Sequence, residues 1–109
     1  VADRVFFATN KSSLTTAARA NLRKQATYLR KNKNLNVTIE GHADERGTRE
    51  YNLALGERRA NAAKDYLMTY GISGKRISVI SYGKEKPVNT ASSALAWSQN
   101  RRAVTVKVN

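Results

Sequence analysis

Asp44 and Arg59 are the residues of this chain whose types and spacing point most directly to chemistry. Asp44 follows an alternating apolar run, where a strand is expected to end. Arg59 comes fifteen residues later, inside a run with helical periodicity. It lies four residues after Leu55 and four before Ala63, on the stripe that such a helix buries. A buried guanidinium without a partner is prohibitively costly. Arg59 must therefore pair with a carboxylate or line a cleft. One reading is an internal Asp44–Arg59 salt bridge that fixes a loop; the other is a ligand site. In a ligand site Asp44 suits an ammonium, and Arg59 suits a carboxylate held by two parallel hydrogen bonds. Together they would recognise the two ends of one amino-acid head group.

His42, the only histidine, stands two residues before Asp44 and invites a metal or acid–base reading. One histidine and a few carboxylates make a thin zinc ligand set, and no third ligand is evident. His42 is read as a structural histidine or a minor ligand contact. No metal, cofactor or catalysis is expected. The surrounding stretch, Gly41–Ala60, holds or adjoins five of the chain's eight acidic residues: Glu40, Asp44, Glu45, Glu50 and Glu57. In a chain of net charge +12 that concentration marks a site.

The elements that must position these residues follow from pattern. At 109 residues the chain, 1–109, is read as one domain with one core. There is no cysteine, which excludes disulfides, thiolate zinc sites and cysteine nucleophiles within it. Residues 2–7 read as a short strand. Ser12 or Ser13 is a plausible cap for a helix over 14–31, whose stripe is Leu14, Ala18, Leu22, Gln25, Ala26 and Leu29. Residues 35–41 alternate as a strand that delivers His42 and Asp44. Gly47 can take the positive φ of the turn that follows. A second helix runs from Arg49 to Tyr70, with Leu55, Ala62, Ala63, Tyr66, Leu67 and Tyr70 as its stripe and Gly71 ending it. Residues 76–82 make a third strand, Ala94–Trp97 a short helical segment with Trp97 capping the core, and 101–108 a last strand. The order is β-α-β-α-β-(α)-β: an α/β (α+β) mixed sheet with two main helices on one face.

Twenty Lys and Arg against eight acids also fit a polyanion partner. A basic nucleic-acid-binding domain, using Arg19, Arg23 and Arg30, is therefore the alternative reading. Against it, the chain lacks basic–aromatic alternation and a Gly-rich phosphate loop.

The run GHADERGTREYNLALGERRANAAKDYL, residues 41–67, closely resembles the signature of OmpA-like peptidoglycan-binding domains, in the form found in peptidoglycan-associated lipoproteins. Phe6–Asn10, the strand and SYGKEKP segment at Ile77–Pro87, and Asn100–Arg102 match in order, so the resemblance covers nearly the whole chain. It implies an α/β sandwich that binds peptidoglycan non-covalently through the diaminopimelate of an uncrosslinked stem peptide. It assigns Asp44 to the ligand ammonium and Arg59 to a carboxylate. Thr9 and Asn10 would meet the ligand from a loop, Asn52 and Leu55 would line the pocket, and Arg102 would stand at its rim. It further implies an N-terminal lipid anchor outside this sequence, a place at the periplasmic face of the Gram-negative outer membrane, and Tol system proteins such as TolB as partners.

Overall fold

The computed structural model describes residues 3–108. Four strands and three helices alternate: β1 (Arg4–Phe6), α1 (Thr16–Lys31), β2 (Val37–His42), α2 (Arg49–Thr69), β3 (Ile77–Gly83), α3 (Ala94–Asn100) and β4 (Arg102–Lys107). One 3-10 turn, Gly74–Arg76, precedes β3. The order and mixed character match the sequence pattern. The strands form one sheet in the order β1-β4-β2-β3. β4 runs antiparallel to both β1 and β2, and β2 runs parallel to β3.

One face of the sheet carries the core. Val5, Phe7, Val37, Ile39, Ile77 and Ala103 meet Ala18, Leu22, Ala26 and Leu29 of α1 and Ala60, Ala63 and Leu67 of α2. The opposite face is partly open, with Phe6, Ile80 and Val106 each exposed. That openness accounts for the last strand, where Val104 is buried but Val106 and Val108 are not.

Local chemistry sets the element ends. α1 begins later than Ser12 or Ser13 would allow. Its cap is Thr15, whose hydroxyl accepts from the Ala18 amide. Residues 8–11 are already committed to a turn, closed by Lys11 N donating to Ala8 O at 3.1 Å, with Asn10 at φ 57°. β1 spans Arg4–Phe6 rather than residues 2–7; Ala2 lies outside the described residues. β2 starts at Val37 because Leu35 is held in the preceding turn, its amide donating to Asn32 O. Gly47 takes φ 95°, Thr48 caps α2 by accepting from the Tyr51 amide, and Gly71 at φ 89° follows its end.

The buried stripe of α2 differs from the apolar one. It runs Asn52, Leu55, Gly56, Arg59, Ala60, Ala63, Leu67. Tyr66 is only partly buried and Tyr70 is exposed. Arg23 donates to the Tyr66 hydroxyl and Arg30 to the Tyr70 carbonyl. Gly56 is what lets α2 descend onto β2. A Cβ built on Gly41 would stand 1.7 Å from the Gly56 carbonyl oxygen, so only two glycines permit this crossing.

Candidate ligand-binding site

The loop after β1, the end of β2 and the first three turns of α2 converge on one cavity of about 320 Å³. Thr9, Asn10, Asp44, Arg46, Gly47, Tyr51, Asn52, Leu55 and Arg59 line it. Six of the seven predicted site residues are thus brought together: Thr9, Asn10, Asp44, Asn52, Leu55 and Arg59.

Arg59 is fully buried. Its guanidinium donates through Nε to Lys11 O (2.9 Å), through Nη1 to His42 O (2.9 Å) and through Nη2 to Ala8 O (3.1 Å). It also lies 5.3 Å from the centre of the Phe7 ring. Three carbonyls from two segments are therefore pinned to one side chain. A guanidinium has five N–H groups, so one hydrogen on each Nη remains for another acceptor. Burial, and next the nearby Arg101 cation, lower its pKa to about 10, while Asp44 opposes the shift; Arg59 stays charged at neutral pH.

Asp44 is also buried. Its Oδ1 accepts from the Arg46 amide at 3.0 Å and from Arg46 Nε at 3.1 Å. Its Oδ2 accepts from Arg46 Nη2 at 2.8 Å and lies 3.5 Å from Arg101 Nη1. Burial pushes the carboxyl pKa up, but the hydrogen bonds from Arg46 outweigh it, and the group sits below the ordinary aspartate value. The internal Asp44–Arg59 salt bridge does not form: among the described residues Asp44 pairs with Arg46 and Arg101. The two groups instead share a wall of the cavity, each satisfied from outside the pair.

The rest of the wall is tied down by further side-chain hydrogen bonds. Asn52 Nδ2 donates to Arg46 O and Thr48 O, locking the turn that carries Asp44 and Arg46. The Tyr51 hydroxyl donates to Asn10 Oδ1 at 3.3 Å, joining α2 to the β1 loop. Lys84 Nζ donates to Gly47 O from the far side.

Arg102 departs from expectation. It is buried away from this cavity and donates to the carbonyls of Asn100 and Lys86. Its neighbour Arg101, which caps the end of α3 just before β4, is the one near Asp44. The Arg101 Nε donates to Phe7 O, which holds it there. His42 contributes only its carbonyl to the site. Its ring stacks on Tyr82, with centroids 5.5 Å apart, and both ring nitrogens lack hydrogen-bond partners. β2 ends at His42, so Asp44 lies in the loop beyond it and strand alternation no longer puts the two on one face despite their spacing of two. Trp97 does not cap the core. It packs against a cavity residue, with the Arg46 guanidinium 4.1 Å from its ring centre, and its Nε1 donates to Glu45.

Sequence reasoning missed Arg46, Arg101, Tyr51 and Trp97. Arg46 carried a usable signal, since an aspartate at i readily accepts from the amide of i+2 in a turn. Trp97 carried none, because it arrives from the third helix. Among the described residues no cluster of three or more His, Asp or Glu side chains is placed to hold a metal.

A model of the OmpA family matches residues 6–101. A peptidoglycan-associated lipoprotein of Rhizobium meliloti is 59% identical over 106 residues, covering 97% of this chain and 60% of that protein. The chain thus spans about 60% of the length of such a relative. The crystal structure of the peptidoglycan-associated lipoprotein from Burkholderia pseudomallei superposes with a TM-score of 0.93 at 39% identity, over 96% of this chain and 89% of that one. The C-terminal domain of Helicobacter pylori MotB has a TM-score of 0.91 at 19% identity, over 100% and 86% of the two chains, which is a likeness of fold.

Proposed function

This chain belongs to the OmpA family, and from that premise we propose that it binds peptidoglycan non-covalently through the diaminopimelate of an uncrosslinked stem peptide. The observation that carries the reading is the cavity itself. It sets a buried carboxylate and a buried guanidinium in one wall without letting them neutralise each other. An amino-acid head group offers the complementary pair. Its ammonium goes to Asp44, and its carboxylate takes the free hydrogens on the two Nη atoms of Arg59. The carboxylate side is reinforced by charge, since Arg46 and Arg101 also surround the site.

Binding, rather than turnover, is what such a wall supports. The groups that face the cavity are held ionised, and an ionised carboxylate and guanidinium make a clamp rather than a proton shuttle. In this reading Thr9 and Asn10 present hydrogen-bonding groups from the loop, and Asn52 and Leu55 shape the floor. The wider protein would tether the outer membrane to the wall from the periplasm. An N-terminal lipid would supply the membrane end, and Tol system proteins such as TolB would be its partners. The names of the relatives support the wall and lipid parts of this proposal.

Sedimentation with purified sacculi tests it. The wild-type domain is expected in the pellet and Asp44→Asn in the supernatant. Equal retention of both proteins contradicts the proposal.

A further inference from the structure

Asp44 has no room for a ligand as it stands. A carboxylate offers about four lone-pair positions. Arg46 N and Nε take two on Oδ1, Arg46 Nη2 takes one on Oδ2, and Arg101 Nη1 stands at the last. An incoming ammonium must displace one of these groups. The Arg46 amide is fixed by its turn. Arg101 is anchored by its bond to Phe7 O and its side chain is only 16% exposed. The Arg46 side chain is 40% exposed, and its remaining ties are the Trp97 ring and a long 3.3 Å bond to Thr9 Oγ1. It is the group that can leave.

We propose that Arg46 is the selectivity residue of this cavity: its guanidinium occupies the ammonium position on Asp44 and yields it to a ligand that carries a carboxylate beside its ammonium. The inference rests on the proposed function above. When Arg46 swings off Asp44 it keeps the Trp97 face beneath it and remains at the rim. A zwitterionic head group gives the released guanidinium a new anionic partner. A lone ammonium, such as that of a lysine side chain, displaces it and returns nothing. Arg46 therefore penalises lysine-type stem peptides more than diaminopimelate-type ones. Its guanidinium suits the exchange because it can leave one carboxylate and meet another in the same bidentate geometry.

Calorimetric titration of two tripeptides that differ only in diaminopimelate or lysine at the third position tests this on wild type and Arg46→Gln. The substitution leaves the backbone bond to Asp44 in place, and a thermal melt confirms that the variant is folded. The wild type is expected to prefer the diaminopimelate peptide. In Arg46→Gln the lysine peptide is expected to bind about fivefold tighter, the scale of one exposed ion pair, so that the preference narrows. An unchanged ratio, or weaker lysine-peptide binding, overturns the role of Arg46 and leaves the function standing. Failure of the wild type to bind the diaminopimelate peptide removes the functional reading and this inference with it.

Discussion

Arg59 does two things with one guanidinium, and substitutions can tell them apart. It pins the Ala8, Lys11 and His42 carbonyls, and it lines the cavity. Arg59→Ala strips three acceptors of their donor and is expected to cost about 3 kcal/mol or more, read by urea unfolding. Loss of wall binding in that variant would mix a loosened loop with a lost ligand contact. Asp44→Asn is cleaner. The amide oxygen still accepts from the Arg46 amide, so a stability change within about 1 kcal/mol is expected alongside lost binding. A large destabilisation by Asp44→Asn would make its role structural.

His42 sets a pH dependence unrelated to the ligand. Burial, then the charges of Arg102, Lys86 and Arg4, lower its pKa to about 4 from the usual 6.5. The folded imidazole stays neutral across that window while the unfolded one takes a proton. Stability is therefore expected to fall as pH drops from about 6.5 toward 4, and to level off below. Between pH 7 and pH 4.5 the expected loss from this group is about 2 kcal/mol. Urea unfolding of His42→Leu beside the wild type checks it; parallel pH curves would contradict it.

At the scale of elements, the site depends on how closely α2 approaches β2. Asp44 leaves the end of β2 and Arg59 projects from α2, so their separation follows the Gly41–Gly56 crossing. A Cβ on Gly56 would lie 2.3 Å from Ser81 Oγ and 2.8 Å from Gly41 O. Gly56→Ala is expected to push the helix outward and to cost about 3 kcal/mol, with wall binding weakened as well. Thermal melts and sacculus binding read the two effects. Unaltered values for both would mean that the crossing has slack. The sequence made the elements legible because β2 alternates with period two and α1 carries a clear stripe. α2 was harder. Its buried face includes Asn52, Gly56 and Arg59, so hydrophobicity alone chose Tyr66 and Tyr70 instead. Arg59 itself was legible because a cation on a buried stripe demands an explanation. Its partners were not, since three carbonyls from a turn and a strand end leave no mark on residue types. The position of Trp97 depends on the packing of α3, which local pattern does not encode.

Over the whole molecule, charge is unevenly placed. Residues 4–39 contain eight Lys or Arg and no acid, and five of the eight acidic residues fall between Glu40 and Glu57. A net charge of +12 attracts a polyanionic wall at long range, where salt screens within about 10 Å at 0.1 M. The contacts inside the cavity are shorter and buried, and are screened less. Raising salt from 50 to 500 mM is therefore expected to weaken sacculus binding several-fold without abolishing it. Complete loss at 500 mM would mean that surface charge, rather than the cavity, holds the wall.

The cavity's claim is tested most directly by a two-dimensional NMR titration of the domain with a diaminopimelate-containing stem peptide. The predicted result is a compact set of shifted signals from Thr9, Asn10, Asp44, Arg46 and Asn52, with the Arg59 Nε–H among them. Signals from Ile80 and Val106, on the open face of the sheet, should stay still. Saturating shifts on that open face or along α1, with the cavity residues unmoved, would contradict the account.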